Sequence, residues 1–216
     1  PRAECARYAV LHCQRPMAAY FEQQGVAVWC PRDEMLARQW PVGVMGLGVI
    51  GTVVAQRIAA QGYPVSGWSN SGRPVEGVQV FAAQAGLKPF LAQARVLVNV
   101  LPLTAATRGI LDARTFAAMP RGSYVANIGR GGHLVDGDLI AALDCGHLAG
   151  AMLDVFEPEP LPVTHPFWRP PGVIITPPAA APPLASEAPA QLLANRPLHA
   201  PGAAPPRRRA AGEGAS

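Results

Sequence analysis

Three glycines have the spacing that lets a protein backbone approach phosphate groups. Gly46, Gly48 and Gly51 form a G-x-G-x-x-G pattern between a short apolar run and a helical pattern. In a strand–turn–helix unit, the first glycine permits a tight turn, the second leaves room for a pyrophosphate, and the third allows close packing. Val49 and Ile50 begin the helix, whose free N–H groups would face the phosphates. This context predicts a dinucleotide-binding turn.

The end of the second predicted strand carries hydroxyls, an amide and a guanidinium but no carboxylate. Its polar residues are Ser69, Asn70, Ser71 and Arg73. At this place an acidic side chain would hold the ribose 2′-hydroxyl of NAD, whereas an arginine accommodates the 2′-phosphate of NADP. The segment therefore favours NADP(H) over NAD(H) as the cofactor. The alternative is a polar turn with no preference.

Two charged residues follow later apolar runs. Arg130 lies among small residues, and its planar guanidinium has the shape to hold a carboxylate and polarise a neighbouring carbonyl. Asp154 ends an apolar run and needs a partner, because burying an unpaired carboxylate is costly. For Arg130 the alternative is a surface charge. For Asp154 the partner is either a nicotinamide carboxamide or a backbone N–H cap.

The elements that must position these residues alternate between apolar strands and helices. Strands are predicted at residues 26–30, 42–46, 64–68, 95–101, 124–128, 148–155 and 173–176. Helices are predicted at residues 4–14, 17–24, 49–61, 86–94, 113–119 with Asp112 as a cap, and 137–145 with Asp136 as a cap. The alternation predicts an α/β fold with a doubly wound parallel sheet, the Rossmann NAD(P)-binding architecture.

Composition and charge argue against a nucleic-acid-binding, metal-binding or membrane-spanning protein. The chain has 216 residues, 50% of them hydrophobic, and its net charge of +4 includes a tail cluster at Arg207, Arg208 and Arg209. Without that cluster the body is nearly neutral, so no nucleic-acid partner is expected. The four cysteines form no C-x-x-C pair, which predicts no metal site and suits the cytoplasm. No apolar stretch is long enough to span a membrane.

Prolines concentrate from Pro158 onward, which marks a change in the organisation of the chain. We expect residues 36–178 to form the dinucleotide-binding domain. Residues 1–35 would be two helix pieces outside that domain. Residues 179–216 are rich in proline, alanine and arginine, and we expect them to form a largely disordered tail.

The chain resembles the D-isomer-specific 2-hydroxyacid dehydrogenase family at three places: residues 42–51, residues 127–131, and the run D-V-F-E-P-E-P-L at 154–161. Within that family, the chain is most similar to the branch that reduces glyoxylate and hydroxypyruvate. This similarity lies at Met45, at the pair Trp68-Ser69 and at residues 166–169. The resemblance covers about residues 8–195. It implies an oxidoreductase that reduces a small 2-oxo acid, such as glyoxylate or hydroxypyruvate, by hydride transfer from NADPH or NADH.

The resemblance also implies roles for particular residues. Arg130 would bind the carboxylate and the carbonyl of the substrate, and Glu159 would pair with a catalytic histidine. Besides the glycine turn and the end of the second strand, the residues expected to border the cofactor are Leu101, Pro102, Thr107, Ile128, Arg130 and Asp154.

The chain departs from the family at the catalytic acid. The family ends its last strand with Thr-Pro-His, whereas this chain has Thr176, Pro177 and Pro178. Proline cannot donate the proton that the carbonyl oxygen needs, and such an acid contributes about 10²–10⁴ in rate. The remaining candidates are expected to be structural or solvated: His133, His147, His165 and His199.

The first strand of the predicted domain begins at Val42, so little of the family's N-terminal substrate domain can precede it. We expect residues 1–35 to be a truncated remnant of that domain, with the cleft between the two domains mostly absent. The alternative function is therefore a catalytically inactive dinucleotide-binding remnant. The family's dimers pair through helices around the cofactor domain, and the shortened chain argues against a homodimer here.

Overall fold

Seven parallel strands form the centre of the computed structural model, which describes residues 1–15, 17–33, 35–170 and 172–180. The strands are β1 (Val42–Met45), β2 (Val65–Ser69), β3 (Gln79–Ala82), β4 (Val96–Asn99), β5 (Ser123–Asn127), β6 (Leu148–Leu153) and β7 (Val173–Ile175). Their spatial order is β3-β2-β1-β4-β5-β6-β7. The chain winds outward in both directions from the β1–β4 pair. The predicted α/β fold with a doubly wound Rossmann sheet is confirmed.

Helices cover both faces of this sheet. They are α1 (Arg2–Gln14), α2 (Met17–Gly25), α3 (Val49–Ala59), α4 (Ala83–Leu91), α5 (Ala113–Ala117) and α6 (Asp136–Asp144). One apolar cluster joins α1 and α3 to residues such as Val96 and Val98, and the other joins α4, α5 and α6 to residues such as Leu97. Adjacent residues of β4 thus point into opposite cores, as alternation along a strand requires.

Local signals explain several helix boundaries. In α1, the buried positions Ala3, Ala6, Ala9 and Val10 recur at helical spacing and give one apolar face. Asp112 caps α5 as predicted, because its Oδ1 accepts a hydrogen bond of 2.9 Å from the backbone N–H of Thr115.

Three details of the predicted elements are wrong. Residues 26–30 form no strand; Val26, Val28 and Trp29 are exposed and no neighbouring strand pairs with them. A strand at 79–82 was missed, since edge strand β3 is only partly buried and its apolar pattern is weak. Asp136 does not cap α6: it is the first helical residue, and its carboxylate contacts His165 instead.

The predicted tail lies almost wholly outside the described residues, the last of which is Ala180. His199 and the three tail arginines also lie there. Residues 176–180 contain neither helix nor strand. Thr176 directly follows β7, so this segment continues from the same edge of the sheet as the glycine turn.

Candidate functional site

The carboxyl ends of β1, β4 and β5 border a groove with a volume of about 500 Å³, here named the strand-end groove. It lies at the switch point of the sheet, where doubly wound folds bind ligands. The predicted residues that line it are Gly46, Gly48, Val49, Ile50, Gly51, Leu101, Pro102, Ile128 and Arg130. Arg2, Val100, Leu103 and Gly129 also line the groove, and of these Arg2 and Val100 were not predicted from the sequence.

Each glycine of the turn meets a different geometric demand. Gly46 has a φ of +105°, a backbone conformation that side-chain-bearing residues rarely adopt. A Cβ on Gly51 would overlap the carbonyl oxygen of Gly46, so this position sets how closely α3 packs on β1. Gly48 is different, because the space that its Cβ would occupy is open to a distance of 4 Å. The turn is therefore closely packed between Gly46 and Gly51 and open to the groove at Gly48.

The start of α3 supplies unpaired donors to this open space. The N-cap residue is Gly48, which has no side chain to cap the helix. The first N–H groups of an α-helix have no partner within the helix, and its dipole makes that end positive. Since Val49, Ile50 and Gly51 all line the strand-end groove, the first turn of α3 faces it.

Two arginines are the charged residues that line the groove. Arg130 is exposed, and its Nη1 donates to the carbonyl of Gly129 at 2.7 Å. Arg2 is half-buried at the start of α1. Within the described residues, neither guanidinium forms an ion pair, and no carboxylate lines the groove. The electrostatic environment therefore favours an anionic ligand.

A buried polar cluster shapes the loop that carries Arg130. Asn99 and Asn127 lie opposite each other on β4 and β5, and the Asn99 Nδ2 donates to the Asn127 Oδ1 at 2.9 Å. The Asn127 Nδ2 donates to the carbonyl of Arg130 at 3.0 Å, and the Asn99 Oδ1 accepts from the N–H of Leu101 at 3.2 Å. The cluster thus fixes both loops that border the groove.

His133 completes the cluster and is fully buried. Its Nδ1 lies 2.9 Å from the Asn99 Nδ2 and accepts from the N–H of Arg130 at 3.2 Å. With Nδ1 accepting, the ring proton belongs on Nε2, for which the described residues offer no hydrogen-bond partner of good geometry. Burial lowers the pKa of His133; the backbone groups of Pro102 and Arg130 act against this, and the Arg130 and Arg108 charges add to the lowering. A neutral, buried imidazole that does not line the groove is a structural group.

Asp154 is fully buried and is satisfied by the chain itself. Its Oδ1 accepts from the Thr176 hydroxyl at 2.6 Å and from the N–H of Ala179 at 2.8 Å, and its Oδ2 accepts from the N–H of Ala180 at 3.0 Å. Of the two partners that the sequence left open, the structure contains the backbone N–H cap. The carboxylate anchors the segment after β7 to the end of β6.

Glu159 and Pro178 are both exposed and do not line the groove. The Glu159 Oε1 accepts from the backbone N–H of Phe156 at 2.8 Å, so the carboxylate closes its own turn. Pro178 occupies the segment after β7 and offers no ionisable group.

The polar segment at the end of β2 does not line the groove either. The Ser69 hydroxyl accepts from the N–H of Gly72 at 3.2 Å and shapes the turn. Asn70, Ser71 and Arg73 are exposed, and the Arg73 guanidinium makes no hydrogen bond or ion pair within the described residues. Thr107 is occupied locally, because its hydroxyl donates to the carbonyl of Pro102 at 2.7 Å.

Two other histidines that the structure describes have structural partners. The His147 Nε2 lies 2.8 Å from the carbonyl of Phe116. The His165 Nε2 lies 3.2 Å from the Asp136 Oδ2, while its Nδ1 accepts from the N–H of Phe167. Neither histidine lines the strand-end groove.

Residues 1–180, apart from the three that the structure does not describe, contain no helix with the length and apolarity that a membrane crossing requires. In the same part of the chain, no three His, Cys, Asp or Glu side chains are grouped as metal ligands.

The fold and the groove define a Rossmann domain of the dinucleotide-binding type. Residues 8–180 match the model of the D-isomer specific 2-hydroxyacid dehydrogenase NAD binding domain. The chain therefore belongs to the D-isomer-specific 2-hydroxyacid dehydrogenase family, which confirms the resemblance seen in the sequence.

The chain is also similar to individual members of this family. Glyoxylate/hydroxypyruvate reductase A of Salmonella heidelberg (strain SL476) is 44% identical over 178 residues, which are 82% of this chain and 57% of the relative. This chain thus spans little more than half the length of that relative.

Two solved structures are similar over most of the described chain. A Xanthobacter autotrophicus Py2 family member in complex with NADPH and MES has a TM-score of 0.86 at 38% identity, covering 90% of this chain and 80% of that chain. The NADPH-dependent glyoxylate/hydroxypyruvate reductase of Sinorhizobium meliloti, in complex with NADP and sulfate, has a TM-score of 0.83 at 40% identity, covering 89% and 61%.

Proposed function

We propose that this chain binds a nicotinamide dinucleotide in the strand-end groove and reduces a small 2-oxo acid such as glyoxylate or hydroxypyruvate. One observation carries the proposal: open space above Gly48 adjoins the uncapped start of α3 in a groove whose charged lining residues are both arginines. A pyrophosphate needs this combination of room, N–H donors and positive potential. The similarity to reductases of glyoxylate and hydroxypyruvate supports the substrate class.

The chain's own residues have separate tasks in this proposal. The N–H groups at the start of α3 bind the pyrophosphate, and the apolar residues Leu101, Pro102 and Ile128 border the rest of the cofactor. Arg130 binds the substrate carboxylate with its planar guanidinium and polarises the carbonyl next to it. The nicotinamide ring, when bound, supplies the hydride that reduces the carbonyl carbon.

The reduction also requires a proton at the carbonyl oxygen, and none of the three residues considered for this role is suited to donate it. Pro178 has no proton to donate, and the Glu159 carboxylate is exposed and bound to the N–H of Phe156. His133 is buried and neutral. Solvent water is then the proton source, and we expect turnover about 10²–10⁴-fold below that of a protein with a positioned acid.

We propose NADP(H) as the preferred cofactor. No carboxylate follows β2 at the position that would hold a ribose 2′-hydroxyl, and Arg73 offers an exposed guanidinium without a partner in the described residues. Two similar structures contain NADPH or NADP. Arg73→Ala should weaken NADPH binding about tenfold and leave NADH binding unchanged, because the lost bond is to a phosphate. Equal losses for the two nucleotides in a fluorescence titration would remove this preference.

A second function is favoured by Pro178, namely dinucleotide binding without turnover. The same groove would then act as a binding module or as a sensor of the ratio of reduced to oxidised cofactor. Both functions predict binding of NADPH, and they differ in glyoxylate-dependent oxidation of NADPH.

The first experiment is a fluorescence titration of the purified chain with NADPH and NADH, followed by an assay of glyoxylate-dependent NADPH oxidation at high protein concentration. Saturable binding with slow oxidation supports the reductase. Saturable binding without any oxidation supports the binding module. If neither nucleotide binds, both functions are wrong.

We also propose a cytoplasmic location, with a small 2-oxo acid as the partner and neither nucleic acid nor membrane. All four cysteines are free, which suits a reducing compartment. Homodimer formation is tested by sedimentation, and the exposed apolar residues Phe21, Val26 and Trp29 are the surface to change in that test.

A further inference from the structure

We propose that Arg2 is a second anion-binding residue of the strand-end groove, whose guanidinium binds a negatively charged group of the bound ligands. The group is either the cofactor pyrophosphate or the carboxylate of the 2-oxo acid, so this inference rests on the proposed function of the groove. Nothing in the local sequence around Arg2 indicates such a role. The fold brings it there, because Arg2 lines the same groove as Gly48 and Arg130.

The position of Arg2 is fixed by the helix that carries it. Ala3 and Ala6, on the first turns of α1, are buried in the same apolar cluster as Val54 and Ala55 of α3. Because α1 packs against α3, the first turn of α1 cannot move away from the groove without opening this core. Arg2 is therefore a half-buried cation on a rigid element.

The other charges that face Arg2 in the strand-end groove are positive. Among the described residues Arg2 forms no ion pair, and the residues that line the groove include no carboxylate. Arg130 and the positive end of α3 face the same space. Like charges that share a cavity repel one another, and an anion bound between them relieves that repulsion. The groove thus has more positive charge than one bound carboxylate would neutralise.

The chemistry of the side chain fits both candidate groups. A guanidinium forms paired, charge-assisted hydrogen bonds with phosphate and with carboxylate oxygens. Lysine keeps the charge but loses the fork, so Arg2→Lys should retain part of the affinity that Arg2→Ala loses.

Arg2→Ala and Arg2→Lys are compared with the wild type and with Arg57→Ala. Arg57 gives a matched control, because it is exposed on the last turns of α3, has the same charge and does not line the groove. NADPH and NADH are titrated against each protein, and oxamate is then titrated as a 2-oxo-acid analogue with NADPH at saturation. Thermal melting verifies that each variant is folded.

If Arg2 binds the pyrophosphate, Arg2→Ala weakens NADPH and NADH equally, by about tenfold, and added salt reduces the difference from the wild type. If it binds the substrate, nucleotide affinity is unchanged and oxamate affinity falls by about the same factor. Either result supports the inference and identifies the group. Arg2→Ala that matches Arg57→Ala in every titration overturns it while the proposed function stands. A wild type that binds no nucleotide overturns both.

Discussion

The glycine turn and the segment after β7 lie at the same edge of the sheet, yet they depend on the sequence in opposite ways. The turn uses backbone N–H groups and empty space, and Gly46, Gly48 and Gly51 each have the required conformation or clearance. The segment after β7 would need one particular side chain, and Pro178 cannot supply it. In the proposed function, cofactor binding and proton donation therefore depend on separate parts of the fold, so that the loss of one does not remove the other.

The largest expected effect comes from restoring an acid. Pro178→His places an imidazole after β7, which lies next to β6, the strand that precedes Glu159. We expect glyoxylate-dependent NADPH oxidation to rise by about 10²–10⁴-fold, the usual contribution of a general acid. Pro177→His is the matched control, since that residue is exposed in the same segment. Equal rates in the two variants would show that an acid at position 178 is not what limits turnover.

The second prediction concerns a substitution that disrupts the glycine turn. A Cβ at Gly51 would overlap the Gly46 carbonyl oxygen, which is backbone and cannot move aside cheaply. Gly51→Ala should therefore lower the free energy of unfolding by about 3 kcal/mol or more and abolish nucleotide binding. Urea unfolding measures the loss. Gly137→Ala, in the first turn of α6 with open space around the added methyl, should stay within about 0.5 kcal/mol of the wild type.

Gly48→Ala separates binding from stability within the same turn. The added methyl meets no atom of the protein, so the free energy of unfolding should be unchanged within about 0.5 kcal/mol. The methyl projects where the backbone must approach a pyrophosphate, so the affinities for NADPH and NADH should both fall by about tenfold or more. Unchanged affinity would mean that the nucleotide does not contact this turn.

The smallest expected effect is a pH dependence of stability. Burial lowers the pKa of His133 and of His12 in the folded chain, so between their folded and unfolded values the unfolded chain binds more protons. The free energy of unfolding should therefore rise with pH toward neutrality and fall as the pH drops below about 6.5. His133→Gln, which keeps an acceptor without a titrating ring, should reduce this slope in urea unfolding at a series of pH values. An identical slope would contradict this assignment.

The fold was largely predictable because buried parallel strands are nearly continuous apolar runs that need no distant information. Edge strand β3 was not predicted because it is half-exposed and its apolar pattern is weak. The strand predicted at residues 26–30 was wrong because an apolar run without a neighbouring strand forms no sheet. The glycine turn was predictable because its geometry depends on glycine alone.

The missing parts of the site depend on contacts between distant residues. Arg2 reaches the groove through the packing of α1, which no local pattern reveals. Asn99 was the polar interruption of the apolar run 96–101, and it is explained only by its register with Asn127. A polar residue that interrupts such a run, together with another on a neighbouring strand, is the signal that could have identified this cluster.

The walls of the strand-end groove come from Arg2, from the glycine turn and the start of α3, from residues 100–103, and from Ile128 to Arg130. A nascent chain that has already made all three glycines still lacks a binding site until β5 has emerged from the ribosome. A ligand of this groove thus binds only chains in which these elements have folded together, and at a concentration of one hundred times its Kd it adds about 2.7 kcal/mol against unfolding. The supply of that ligand in the cell would then help to set the lifetime of the protein against proteolysis.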